Sequence, residues 1–115
     1  MNIWPYIVLA SVTLGGHTRM EHTEALRVCD LTIDSLKRHM SVDTALGKVS
    51  SHIQCKYIKD ATYQVVNGKI YRLQVSTNIG TLVLELQSTL PPEKRLLTHF
   101  ILNDIEYVEH ETWLV

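Results

Sequence analysis

Apolar side chains recur at steps of three and four residues over residues 21–40, the longest regular pattern in the chain. This period places them on one face of an α-helix and leaves charged side chains on the opposite face. Glu21 and Glu24 lie at its start and basic residues 37–39 at its end, which suits the helix dipole. Thr23 is a candidate N-cap. We therefore predict one long helix with a core-facing apolar stripe. The stripe consists of Ala25, Val28, Cys29, Thr32, Ile33, Leu36 and Met40.

After the helix the pattern changes to the alternation of apolar and polar residues that is typical of β-strands. The predicted strands are 49–66, 69–77, 81–87 and 97–108. They are separated by an Asn-Gly hairpin signal at 67–68, a turn at 78–80 and a proline-containing loop at 88–96, and a loop at 41–47 follows the helix. One helix followed by antiparallel strands is an α+β pattern. We expect the helix to pack across a curved antiparallel β-sheet of about four strands.

The first part of the chain is almost wholly apolar over residues 3–14 and carries no charged side chain before Arg19. It is too short to span a membrane as a helix and has the length of the apolar region of a signal peptide. The alternative is a first β-strand. We therefore expect residues 1–15 to be a signal peptide or an N-terminal trunk, residues 16–115 to be a single domain, and the protein to be secreted and extracellular.

Composition narrows the functional classes. The chain has 115 residues, the length of one domain. Hydrophobic residues make up 45% and charged residues 20%, which is an ordinary globular composition. Its net charge of −1 comes from interspersed residues, so neither a nucleic-acid surface nor a basic membrane patch is predicted. No phosphate-binding loop, nucleophile elbow or zinc-protease motif is present, and the six histidines are scattered. We expect no enzymatic activity, no metal and no cofactor.

The two cysteines, Cys29 and Cys55, fit no zinc spacing and no C-x-x-C redox motif. Two alternatives are open for them. In a secreted protein they form one disulfide, which would add roughly 3 kcal/mol of stability in the chain-entropy model. Otherwise they are two buried thiols, since Cys29 belongs to the apolar stripe of the helix and Cys55 to a strand face.

One short motif lies at the tip of the predicted hairpin. It consists of Gln64, Val65, Val66, Asn67 and Gly68. This QVVNG resembles the Q-x-V-x-G signature of the cystatin superfamily. Its context is also similar, because in the cystatins a long helix precedes the motif by one strand and the motif occupies a hairpin turn.

Two further positions add to the resemblance. Gly15 and Gly16, the second of which lies 48 residues before Gln64, resemble the N-terminal glycine of the family. Trp113, 49 residues after Gln64, resembles the tryptophan of the family's second hairpin. The chain departs from the family by having Thr112 in place of the usual proline and a single cysteine pair. A legumain-binding loop is not evident, so legumain inhibition is not predicted.

The resemblance implies a cystatin-like fold and a reversible, non-covalent inhibitor of papain-like cysteine proteases, with cathepsin L-like enzymes favoured over cathepsin B-like ones. By resemblance, the segment before Gly16 would fill the non-primed subsites, residues 65–68 would lie against the catalytic centre, and Trp113 would pack on the primed side. We expect a monomer, with domain swapping through the hairpin as an alternative. The alternative functions are a non-inhibitory interaction module and, third, a small enzyme or carrier on a similar scaffold.

Overall fold

The computed structural model describes residues 17–90 and 93–114. The sequence motif at Gly15 and Gly16 and the predicted signal peptide lie outside these residues. In chain order, the elements are β1 (Thr18–Arg19), α1 (His22–His39), α2 (Ala45–Ser50), β2 (Cys55–Val65), β3 (Lys69–Thr77), β4 (Gly80–Ser88), β5 (Arg95–Leu102), β6 (Ile105–Glu106) and β7 (Thr112–Leu114).

The strands form one curved antiparallel sheet in the order β1-β2-β3-β4-β5, and both β6 and β7 pair with the outer edge of β5. The α+β class and the single long helix are confirmed. The prediction of about four strands was wrong, because seven are found in the described part of the chain. The predicted strand 97–108 is broken by Asn103 and Asp104, whose φ angles of 49° and 70° turn the chain back into β6.

Helix α1 packs on one face of the sheet and buries the predicted stripe, with Met40 partly buried against the core. Alternate residues of the central strands complete this core, since side chains of a strand point to opposite faces. They include Leu73, Val75, Leu82, Leu84, Leu86 and Phe100. The predicted cap was wrong: Glu21 is the N-cap residue without a side-chain hydrogen bond, and Thr23 lies inside the helix.

The short helix α2 lies where the sequence predicted a loop and the start of a strand. Thr44 is its N-cap, and the Thr44 hydroxyl accepts a hydrogen bond from the Gly47 amide at 3.0 Å. Leu46 is buried in the core and anchors this single helical segment. As a consequence β2 begins only at Cys55, and the predicted strand over 49–54 was wrong.

A disulfide joins Cys29 of α1 to Cys55 at the start of β2, with their Cα atoms 6.4 Å apart. The structure thus contains the first of the two alternatives that the sequence left open. The bond ties the helix to the end of the hairpin strand farthest from the β2–β3 turn. Across the described ranges, no helix is both long enough and apolar enough to cross a membrane.

Candidate functional site

The QVVNG motif forms the tip of the β2–β3 hairpin. Val65 pairs with Lys69 and closes a three-residue loop, in which the Val66 amide donates to the Gly68 carbonyl at 3.0 Å. Asn67 and Gly68 have positive φ angles of 46° and 114°, the left-handed backbone region that asparagine and glycine tolerate best. The tip is therefore a tight turn whose residue types match its backbone conformation.

The tip also packs against the next hairpin of the sheet. A β-carbon at Gly68 would overlap the carbonyl oxygen of Ser88, the last residue of β4, so the two backbones touch here. The turn that joins β4 to β5 is described at residues 89–90 and 93–94, where the Thr89 amide donates to the Lys94 carbonyl at 2.9 Å. In return the Lys94 amide donates to the Thr89 hydroxyl at 3.0 Å. Two turns thus lie side by side at one end of the sheet.

Among the residues that the structure describes, three large apolar side chains are exposed at this end: Val65 is 63% exposed, Leu90 59% and Trp113 54%. Strand pairing places them there, because Trp113 lies opposite Leu96 near the start of β5. By resemblance, Trp113 corresponds to a tryptophan on a second hairpin. Trp113 belongs to the edge strand β7, and the second turn carries Leu90 instead.

The first residue of the motif differs from the rest, because the Gln64 side chain is buried with only 4% of its surface exposed. Its carbonyl oxygen accepts a hydrogen bond from Nη1 of Arg72 on β3 at 3.2 Å. Gln64 therefore holds the base of the hairpin to its neighbouring strand, while the exposed part of the tip is formed by Val65 and Asn67. Sequence reasoning gave no role to Arg72.

Arg72 is the centre of a buried polar network on the face of the sheet that points away from α1. Its Nε donates to Glu85 of β4 at 3.2 Å, and each side chain is only 6% exposed. Burial lowers the pKa of the Arg72 guanidinium, an effect that the Glu85 carboxylate opposes. Glu85 also accepts from the Thr98 hydroxyl at 2.9 Å and lies 3.5 Å from Nε2 of His99. The network therefore cross-links β3, β4 and β5 beneath the two turns.

The same arginine reaches the start of β1. Nη1 of Arg72 lies 3.1 Å from Nδ1 of His17, which also lies 3.4 Å from the Thr62 hydroxyl. Burial, and secondly the Arg72 charge, lower the pKa of His17. Because Thr18 pairs with Tyr63 in antiparallel fashion, the chain enters β1 from the end of the sheet that carries the hairpin tip. Gly15 and Gly16 lie outside the described residues.

Among residues 17–90 and 93–114, no group of three or more His, Cys, Asp or Glu side chains is placed to hold a metal ion. What this end offers is a row of turns with exposed apolar side chains, supported by a buried ionic network. Grouped exposed apolar side chains are typical of surfaces that bind other macromolecules. Neither a protein-family model, nor a curated protein, nor a solved structure matches the chain.

Proposed function

We propose that this protein is a secreted, reversible, non-covalent inhibitor of papain-like cysteine proteases, and that the end of the sheet carrying the two turns enters the active-site cleft. The observation that carries the proposal is the juxtaposition of the QVVNG tip with the turn at residues 89–94, through the contact between Gly68 and Ser88. The motif resembles the cystatin signature. The turn between β4 and β5 lies beside it at the same end of the sheet. Together they make a wedge.

The physical properties of the wedge suit inhibition. The hairpin tip is closed by its own backbone hydrogen bond, so little conformational entropy is lost when it binds. A hydrogen bond from the Thr89 amide to the Lys94 carbonyl joins the two sides of the second turn. Val65 and Leu90 are exposed and lose apolar surface to the partner on binding, which is favourable at roughly 25 cal/mol per Å². Trp113 is a further exposed apolar side chain at this end, on the edge strand β7 and outside both turns.

The same construction explains why the tip would block a protease rather than be cut by it. Cleavage of a folded protein requires local opening of the segment that enters the active site. Opening here would break the pairing of Val65 with Lys69 and the packing of Gly68 on Ser88. The positive φ angles at Asn67 and Gly68 also differ from an extended strand. The tip therefore resists the conformation that hydrolysis needs.

Secretion belongs to the same proposal. The disulfide between Cys29 and Cys55 is of a kind that persists in oxidising, extracellular surroundings. The apolar residues 3–14 have the length of a signal-peptide core. The proposed partners are cathepsin-type enzymes, with a cathepsin L-like enzyme preferred over a cathepsin B-like one.

The test is a titration of cathepsin L-like and cathepsin B-like activity with the purified, disulfide-bonded protein. We expect competitive inhibition that is reversed by dilution, with the inhibitor recovered uncut from the mixture. Circular dichroism of the same sample shows whether the protein is folded. Folded protein that inhibits neither enzyme would contradict the proposal.

A second candidate function is a non-inhibitory module that binds another protein through this fold. The observation that favours it is the position of Trp113 on the edge strand β7, which leaves the second turn with Leu90 as its exposed apolar side chain. A wedge that has lost its aromatic second contact could bind without inhibiting. The titration separates the two functions, because only the inhibitor lowers protease activity.

A further inference from the structure

Two asparagine side chains, those of Asn78 and Asn103, are fixed by hydrogen bonds in this structure. The Asn78 carboxamide is fixed at both ends: it accepts from the Gln54 amide and donates to the His52 carbonyl, each at 2.7 Å. Asn103 is also fixed at both ends, by a backbone amide and a backbone carbonyl at 3.1 Å each. Both side chains therefore serve as links between segments and have little freedom to rotate.

Asn67 differs in each of these respects. It is exposed at the hairpin tip, and within residues 17–90 and 93–114 its carboxamide makes no hydrogen bond. The next residue is Gly68, whose backbone amide likewise has no acceptor within those ranges. Glycine has no side chain to hinder approach to its own nitrogen and permits a wide range of backbone angles. An electrophilic carbon with a free carboxamide thus lies beside an unhindered nucleophile.

We infer that Asn67-Gly68 is a site of spontaneous deamidation, at which the tip of the hairpin is converted to a carboxylate as the protein ages. The Gly68 nitrogen attacks Cγ of Asn67, and a bond forms between them as the bond from Cγ to Nδ2 breaks. The Gly68 amide proton passes to a base in the solvent. Nδ2 of Asn67 takes up a proton from the solvent and leaves as ammonia, and the product is a five-membered succinimide ring. Water then opens either carbonyl of this ring and yields aspartate or isoaspartate.

The consequence of this change rests on the proposed function. A new negative charge at the tip must be desolvated when the tip enters a cleft, which disfavours binding. Isoaspartate also inserts a methylene group into the backbone beside Gly68, so the packing of Gly68 on Ser88 would have to shift. Deamidation would therefore reduce inhibition progressively with time. Asn78 and Asn103, whose side chains link segments of the fold, would not be deamidated at a comparable rate.

The chain provides its own controls for the experiment. Trypsin places Asn67, Asn78 and Asn103 on separate peptides, residues 60–69, 73–94 and 96–115. The intact protein is incubated near neutral pH and sampled by peptide mass spectrometry. We expect the mass gain of amide-to-acid conversion on peptide 60–69, with separate aspartate and isoaspartate forms. Asn67 should deamidate about tenfold or more faster than Asn78 and Asn103. This is the factor expected when a side chain lacks the two hydrogen bonds that restrain the others.

An Asn67→Gln variant keeps the carboxamide but would have to form a larger ring, so its peptide should stay unmodified. A rate for wild-type Asn67 no greater than those for Asn78 and Asn103 would overturn the inference. Inhibition is measured separately, on freshly prepared wild type and on an Asn67→Asp variant, which should inhibit about tenfold or more weakly. Fresh wild type that does not inhibit contradicts the proposed function alone. An aged sample without mass change contradicts this inference alone.

Discussion

Gly68 lies directly against the carbonyl oxygen of Ser88, so that a β-carbon at position 68 would overlap that oxygen. This contact joins the tip of one hairpin to the last residue before the next turn. The φ angle of 114° at Gly68 independently disfavours any other residue type. The two turns of the candidate site are therefore one packed unit.

The first prediction follows from this contact. Gly68→Ala should destabilise the protein by about 2–3 kcal/mol, because the methyl group meets both the Ser88 carbonyl and an unfavourable backbone angle. Urea denaturation measures this change. As the matched control, Asn67→Gly accepts the left-handed backbone at the neighbouring position and should change stability by less than about 1 kcal/mol. Equal stability of Gly68→Ala and wild type would show that the two turns are not packed as described.

The second prediction concerns the ion pair beneath the turns. Glu85→Gln removes the carboxylate from a pair in which each side chain is 6% exposed, and leaves the Arg72 charge buried. We expect a loss of about 3–5 kcal/mol in the free energy of unfolding. The double variant Arg72→Met/Glu85→Leu removes both charges and should recover much of that loss. If Glu85→Gln leaves the free energy of unfolding unchanged, the pair is solvated and does not support the hairpins.

The third prediction is a dependence of stability on pH. The pKa of His17 is lowered in the folded protein, by burial and then by Arg72, so the unfolded chain binds the proton more readily. The stabilising effect of neutral His17 is complete above its ordinary pKa of 6.5 and is lost as the pH falls below that value toward the folded pKa. Denaturation midpoints at about pH 8 and about pH 5 measure it.

His17→Gln is the control for this effect, because the other five histidines remain in place. The variant should lose less stability than wild type on acidification. Identical pH dependence in the two proteins would mean that His17 is neither buried nor beside Arg72 in solution.

The fourth prediction ranks the two exposed apolar side chains beyond the tip. Leu90 lies in the turn that packs on Gly68, whereas Trp113 lies on the edge strand β7. Leu90→Ser should weaken protease inhibition by about tenfold, as expected for a lost apolar contact of one to two kcal/mol. Trp113→Ser should have a smaller effect. Inhibition constants for the two variants decide the order, and the reverse order would place Trp113 in the contact instead of Leu90.

Local signals in the sequence predicted part of this architecture well. The three- and four-residue period marked α1 to within one residue at each end, since the predicted 21–40 became His22–His39. The Asn-Gly pair followed by strict alternation marked β3, Lys69–Thr77, without error. In both cases the pattern that defines the element lies within the element itself.

The misses arose where structure depends on distant partners or short segments. Helix α2 has six residues, too few for a visible period, and depends on its Thr44 cap and on burial of Leu46. The turn at Asn103-Asp104 contains no glycine or proline, so its signal was overlooked. The pairing of Trp113 with Leu96 is long-range, and no local pattern predicts it. The contact of Gln64 with Arg72 crosses a predicted hairpin, but the residue pattern does not show that the two side chains meet.

The central claim is that the hairpin tip blocks a papain-like active site, and a paired charge substitution tests it most directly. Val66→Asp places a carboxylate in the tip, and Ile79→Asp places the same group in the β3–β4 turn at the opposite end of the sheet, where Ile79 is 41% exposed. Both variants and wild type are titrated against a cathepsin L-like enzyme. We predict that wild type and Ile79→Asp inhibit equally and that Val66→Asp, although folded, inhibits at least about tenfold more weakly. Equal inhibition by all three proteins, or none by any of them, would contradict the account.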